Sequence, residues 1–251
     1  MTWQIALWIV ASGLGTVLGA VGLLAVGGRP ARRLLDGLLG FTAGVMAAAV
    51  SFSLIVPGLA AGTWTQVVGG FLLGVAFVLV LDIVVPHAHH EFAERGREPL
   101  EQVLAERRAL MLLSALTIHN IPEGLAVGAA FAAGGVELGV PLALAIGLQN
   151  IPEGFAAGVP LLAAHRSRWR AAAVGGATGL VEPPAAFLAF FAVELIDSLL
   201  PWALGFAAGA MLYVVIDELI PETEGHGNER LATLAAMGGF ALLLALDNAL
   251  G

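Results

Sequence analysis

Two ten-residue stretches of this 251-residue chain hold most of its candidate chemistry. Residues 119–128 read HNIPEGLAVG and residues 149–158 read QNIPEGFAAG, an internal repeat at an offset of 30 with 7 of 10 positions identical. His119 and Glu123 are four residues apart, as are Gln149 and Glu153. Asn120 and Glu123, and Asn150 and Glu153, are three apart. On a helix these pairs share one face, so each repeat offers an imidazole or amide plus a carboxylate to one point. Pro122 and Pro152 have no N–H, which frees the carbonyls of Ile118 and Leu148. Inside a membrane only protein, water or an ion can satisfy such carbonyls. A third carboxylate, Glu182, lies in the run VEPP at 181–184, where Pro183 and Pro184 are expected to free carbonyls in the same way.

The donor set is one imidazole, three carboxylates and three amides, and the chain has no Cys. Three carboxylates gathered in a low-dielectric setting repel one another or take up protons unless a cation joins them. Without thiolates the set suits borderline divalent ions: Zn²⁺, Fe²⁺, Mn²⁺, Co²⁺ or Cd²⁺. Carboxylates shared between two ions could form a binuclear centre. Met46 could add one soft ligand. A shell left incomplete lets the ion leave again, as transport requires.

The elements that must position these residues are apolar. Hydrophobic residues make up 59% of the chain and charged residues 12%, against about 25% charged in ordinary soluble domains. Mean hydropathy is +0.90. Such a composition excludes a disordered chain, a nucleic-acid binder, a disulfide scaffold and a soluble globular domain. The expected architecture is an all-α polytopic membrane protein: one domain, 1–251, of eight transmembrane helices. The spans fall near 3–26, 34–57, 65–86, 109–132, 142–164, 171–195, 202–221 and 231–250, each about long enough to cross a bilayer. The N-terminal stretch has no basic n-region and reads as the first span. Glu123, Glu153 and Glu182 then lie at mid-bilayer, where a charge is costly and is retained for function.

All basic residues are arginines, and the chain has no Lys. Arg29, Arg32 and Arg33 follow span 1. Arg95, Arg97, Arg107 and Arg108 fall in the loop 87–108 after span 3. Arg166, Arg168 and Arg170 follow span 5, and Arg230 follows span 7. Every one lies on the same side, which the positive-inside rule makes cytosolic. Both termini are therefore expected outside, in a multi-pass protein of the cell membrane (the inner membrane of a bacterium). The outer side carries Glu137, Glu194, Asp197 and Asp247, which raise the local cation concentration. Asp247 is a candidate entrance ligand. Toward the inner end lie Asp82, Asp217, Glu218 and Glu222, with His87, His89 and His90 in the 3–4 loop and His226 in the 7–8 loop. These are candidate exit ligands, their imidazoles neutral near pH 7. The spacings Gly15–Gly19 and Gly40–Gly44 suit close helix packing, and the Gly-rich spans permit a homodimer. No HEXXH motif is present, so neither an enzyme nor a catalytic cofactor is expected. The partners are the bilayer and the metal as substrate.

These motifs resemble those of the ZIP family of metal transporters, most closely its GufA-like bacterial branch. The resemblance rests on HNIPEG at 119–124, QNIPEG at 149–154, VEPP at 181–184, GVMAAAVSFSLIVPG at 44–58 and VVIDELIPE at 214–222. It covers nearly the whole chain. It implies eight spans, outward termini and movement of a divalent metal, zinc first, toward the cytosol through a binuclear site between spans 2, 4, 5 and 6. Carried over by position, one ion would be held by Met46, His119, Glu123, Gln149 and Glu153. The other would be held by Asn120, Glu123, Asn150, Glu153 and Glu182, with Glu123 and Glu153 bridging. Gln149 stands where many members have His, and Asn150 where some have Asp or Glu; both changes lower ligand charge or affinity. The resemblance also implies that spans 1, 4, 5 and 6 move as a unit against spans 2, 3, 7 and 8. An alternative for the same carboxylates is a proton-coupled metal exchanger.

Overall fold

The computed structural model describes residues 1–26, 30–84, 98–163 and 167–250, with side chains at all of these except 82, 98–112, 115, 163, 197 and 250. Among the described residues there are helices and no strands. They are α1 (Trp3–Gly22), α2 (Arg32–Ala48), α3 (Val56–Ala61), α4 (Trp64–Val84), α5 (Glu98–Ala163), α6 (Arg168–Ala177), α7 (Glu182–Leu195), α8 (Leu200–Val214), α9 (Ile220–Glu222) and α10 (Glu229–Leu250). The outer surface is apolar: Trp3, Leu72, Ile83, Leu195 and Leu234 all lie exposed, as lipid-facing side chains do. Trp64 and Trp169 stand exposed at helix starts, where indole anchors a span at the interface.

Among the described residues, seven helical stretches are long and apolar enough to cross a membrane, against eight expected from the sequence. The difference lies in α5. The spans expected at 109–132 and 142–164 fall in one stretch of 47 residues, Leu116–Leu162. Residues 98–108, expected within the 87–108 loop, are helical and continuous with it. The 66-residue helix is broken at Gly134 and Gly135, and Gly135 has φ +56°. A residue without Cβ adopts that left-handed conformation at little cost. Beyond the break the chain doubles back. The Phe131 ring fills the space over Gly139, and the Gln149 side chain reaches Glu123 at 2.8 Å. Residues 98–133 and 136–163 are therefore the two arms of a hairpin.

Glycines set how closely the helices approach. Gly15 lies against the backbone of Gly147, and Gly19 against that of Ile151, so α1 runs in the same direction as the second arm of α5. Gly124 and Gly128 meet Glu182 and Ala186, which aligns the first arm with α7. Gly40 and Gly44 meet Ala232 and Ala236, which aligns α2 with α10. Gly70 and Gly74 meet Trp202 and Phe206, which aligns α4 with α8. Both predicted GxxxG faces are thus filled within the chain. Among the described residues, these backbone-to-backbone approaches occur within the group α1, α5, α6 and α7, between α2 and α10, or between α4 and α8. None joins the first group to the others.

A Cβ at Gly44 would overlap the carbonyl oxygen of Ala236, a backbone atom that cannot rotate away. Gly44→Val is therefore expected to lower stability by about 1–3 kcal/mol, the usual cost of overpacking. Thermal unfolding of the detergent-purified protein reads this as a lower Tm; an unchanged Tm would mean that α2 and α10 are not held this close.

Two elements depart from regular α geometry beside polar residues. α2 passes into α3 through the π-helical stretch Ala49–Ile55, and α8 into α9 through Val215–Leu219. Each is followed by a proline, Pro57 or Pro221, whose missing N–H removes an i→i−4 bond and favours the wider turn. The expected span 171–195 is likewise discontinuous, because a 3-10 turn, Thr178–Val181, separates α6 from α7. Pro183 and Pro184 correct a sequence expectation. They fall in the first turn of α7, where the N–H has no intrahelical partner anyway, so they start a helix and free no carbonyl within one.

Candidate metal centre

The hairpin of α5 brings the two repeats together, and α7 sets Glu182 beside them. Gln149 Nε2 donates to Glu123 Oε1 at 2.8 Å. Asn150 Nδ2 donates to Glu182 Oε2 at 2.8 Å and to the Ser12 carbonyl at 3.2 Å. Thr16 Oγ1 donates to the other oxygen of Glu182 at 3.2 Å. His119, Asn120, Glu123, Gln149, Asn150, Glu153 and Glu182 are all buried, none exposed by more than 5%. Glu123 feels the charges of Glu153 and Glu182, and Glu182 feels that of Glu153.

The arrangement leaves much of the cluster's hydrogen-bonding capacity unused. Among the described residues, six buried side-chain atoms find no hydrogen-bond partner: both amide atoms of Asn120, Glu123 Oε2, Gln149 Oε1, Asn150 Oδ1 and Glu153 Oε2. All six belong to the two repeats, and all but the Asn120 nitrogen are oxygens. Burying such groups unpaired costs about 1–3 kcal/mol each, more where they are charged. Oxygens concentrated in this way match the chemistry of a cation. Among the described residues, no three His, Asp or Glu side chains gather closely enough to hold an ion by themselves. The Gln149 and Asn150 amides stand between the carboxylates as donors, so either would have to turn its oxygen inward to serve as a ligand.

α2 and the π-helical stretch before α9 also reach this cluster. Glu218, in the π-helical stretch before α9, lies 2.6 Å from His119 Nε2 through its Oε1. Thr42 Oγ1 of α2 donates to the Gln149 carbonyl at 3.3 Å. Met46, one turn beyond Thr42, is buried, exposed by 2%. The cluster therefore lies where α5 and α7 meet α2 and the stretch before α9: His119, the amides and the three glutamates come from the former, Met46 and Glu218 from the latter.

Of the residues expected at the inner end, Glu218 sits at the centre against His119. Glu222 is bound by Arg32, whose Nη2 lies 2.9 Å from Glu222 Oε1 and also donates to its carbonyl oxygen. His226 Nδ1 lies 3.6 Å from Asp36 Oδ1. Asp217 lies beside Glu218 in the π-helical stretch. His87, His89 and His90, and the Asp82 side chain, lie outside the described residues. At the opposite end Asp247 accepts from Ser53 Oγ at 3.2 Å.

Three polar residues of the site escaped the sequence reading. Thr16 and the Ser12 carbonyl come from α1, which carries no charged residue to draw notice. Asp36 is fully buried; it accepts from Arg32 Nε at 2.8 Å and from Asn228 Nδ2 at 2.9 Å. Its signal was legible: an acidic residue just inside an apolar span and four residues after an arginine.

Comparison with known proteins follows this geometry. The model of the family described as ZIP zinc transporter matches residues 85–247. Over 249 residues the chain is 42% identical to the zinc transporter GufA of Myxococcus xanthus, covering 96% of each chain. It is 40% identical over 249 residues to the zinc transporter ZIPB of Bordetella bronchiseptica, covering 94% of this chain and 78% of that one. It is 36% identical over 306 aligned positions to the zinc transporter ZIP11 of Homo sapiens, covering 88% of this chain and 90% of that one.

Proposed function

Because the chain belongs to the ZIP zinc transporter family, we propose that it carries a divalent transition-metal ion, zinc first, across a cell membrane toward the cytosol. The ion is held on the way by the two NIPEG repeats and Glu182. One observation carries this reading: among the described residues, the buried polar side-chain atoms left without partners are confined to those repeats. A protein that needed the repeats only for packing would have paired these groups or replaced them with apolar ones. The relatives are named transporters, which fits a protein without a catalytic step of its own.

The directions of the packed helices support eight crossings, and the positive-inside rule then supports outward termini. Were Leu116–Leu162 a single crossing, α10 would be the seventh and would oppose α2. The two run in the same direction, as their paired glycine contacts require. Counting the hairpin as two crossings restores the parity, and α1 with the second arm, α4 with α8 and α7 with the first arm all obey it. The end bearing Arg32, Arg168, Arg170 and Arg230 is then cytosolic. Five potential oxygen ligands, from Asn120, Glu123, Gln149, Asn150 and Glu153, lie unpaired on the two arms of α5, which supports a binuclear site bridged by Glu123 and Glu153. Among the described residues, α1, α5, α6 and α7 approach one another closely at glycines, and no glycine brings them that close to α2, α8 or α10. That arrangement supports a sliding of these four helices, with the ion, past Met46 and Glu218.

Zinc uptake into proteoliposomes tests the reading. Uptake should saturate and should rise with an inside-negative potential, since moving two charges inward across 100 mV gains roughly 4.6 kcal/mol. Flux no greater than that of empty liposomes would sink the proposal. A second reading is favoured by the three mutually repelling carboxylates, which need protons when no metal is present. In it the protein exchanges metal for protons, and uptake follows an imposed pH gradient; flux indifferent to that gradient rejects exchange and leaves uniport.

A further inference from the structure

Two grooves meet on the outer side of α2. One, of about 420 Å³, runs between α1, α2 and the second arm of α5, where Leu18 and Gly22, Leu38 and Phe41, and Ile151 and Phe155 line it. The other, of about 440 Å³, lies at the start of α2 beside α10 and is lined by Arg33, Leu34 and Leu231 among others. Leu38 belongs to both. Leu34, Leu38 and Phe41 are four and three residues apart, so they form one stripe of the helix. From Arg33 to Phe41 the helix rises about 12 Å, close to half of a hydrocarbon core about 30 Å thick. The α1 wall stays open at Gly22, where a Cβ would meet nothing but the Phe155 ring.

Arg33 is the only charged residue lining either groove. It is exposed. Among the described residues no carboxylate pairs with it, whereas its neighbour Arg32 holds Asp36 and Glu222. A guanidinium at the membrane surface with nothing to neutralise it matches a phosphate. Its fork engages two phosphate oxygens at once, and it keeps its charge at any physiological pH. No Asp or Glu lines the grooves to receive the ammonium of a zwitterionic headgroup, so the charge pattern favours a lipid of net negative charge. Beyond Arg33 the walls are hydrocarbon, which suits an acyl chain.

We propose that the joined grooves bind one anionic phospholipid at the arginine-bearing end, its phosphate on Arg33 and one acyl chain laid past Leu38 to Phe41 and Ile151. The end of that chain lies behind the second NIPEG repeat, because Ile151 and Pro152 belong both to the repeat and to the groove wall. The lipid fills the space beside the contact in which Thr42 of α2 reaches the Gln149 carbonyl. The site shares no side chain with the metal centre and stands whether or not the protein moves zinc.

Native mass spectrometry of the detergent-purified full-length protein tests this, with phosphatidylglycerol and phosphatidylcholine of identical acyl chains as the probes. The wild type should retain one phosphatidylglycerol per chain in preference to phosphatidylcholine. Arg33→Gln should weaken that retention about fivefold, the worth of one arginine against an anionic lipid. Arg168→Gln removes another exposed charge from the same end of the molecule and should leave retention unchanged. Leu38→Trp fills the joint between the grooves and should lower retention of both lipids; if it fails to fold, Gly22→Leu blocks the groove from the α1 wall. Phosphatidylglycerol should also raise the Tm of the wild type more than that of Arg33→Gln. Equal retention of the two headgroups by the wild type, or equal losses in Arg33→Gln and Arg168→Gln, overturns the proposal in favour of an unspecific lipid shell. Retention that survives groove filling overturns it too, as does a lipid-free dimer joined through this face.

Discussion

Replacing Glu123 and Glu153 together by alanine should reduce zinc uptake to the level of empty liposomes and remove high-affinity zinc binding. A charge-assisted interaction is worth about 1.5–3 kcal/mol, so removing two carboxylates amounts to roughly 10²–10⁴ in affinity. The double variant should fold, because it relieves a buried like-charge cluster. Gln149 gives up an acceptor but can rotate its amide, and Glu153 Oε2 has no hydrogen-bond partner to strand. Folding and function are thus expected to separate: an undiminished or raised Tm with flux abolished. Full flux through the double variant would mean that the ion does not pass between the repeats.

Asn150→Asp should make folding depend on metal. Asn150 holds Glu182 and the Ser12 carbonyl through its amide nitrogen. An aspartate offers only oxygens there and adds a fourth carboxylate to the buried cluster. Leaving such a charge uncompensated costs about 3–5 kcal/mol, which should appear as a large fall in Tm under chelator. Zinc supplies the missing positive charge, and ligand at a hundred times its Kd returns about 2.7 kcal/mol. The Tm of Asn150→Asp should therefore rise much more on adding zinc than that of the wild type. The same drop in Tm with and without zinc would place Asn150 in a purely structural role.

The sequence made the centre legible because its donors are local. His119 and Glu123, or Gln149 and Glu153, reach one face by helical spacing alone, and their repetition marked them as a pair. What approaches from elsewhere in the chain was not legible. Glu218 read as an exit residue because it follows its span toward the arginine-bearing end; the wider π turn ahead of Pro221 accompanies its contact with His119, and no local pattern announces that turn. Thr16 and Ser12 looked like ordinary small polar residues of an apolar helix, and only the close packing that Gly15, Gly19 and Gly154 permit brings them to Glu182 and Asn150. The role of the prolines after Glu182 is not legible locally, because a proline frees a carbonyl only within a helix and here a 3-10 turn ends just before α7. The spans were readable from hydropathy. Their grouping was not, since it depends on which glycine faces which backbone.

The transport proposed for this chain requires a divalent ion to rest between Glu123 and Glu153. Crystals grown with zinc and measured at its absorption edge test it most directly. An anomalous peak within ligand distance of carboxylate oxygens from both Glu123 and Glu153 is predicted, with a second near Glu182 if the site is binuclear. Anomalous density confined to the loop histidines or to Asp247, with none between the repeats, would contradict it.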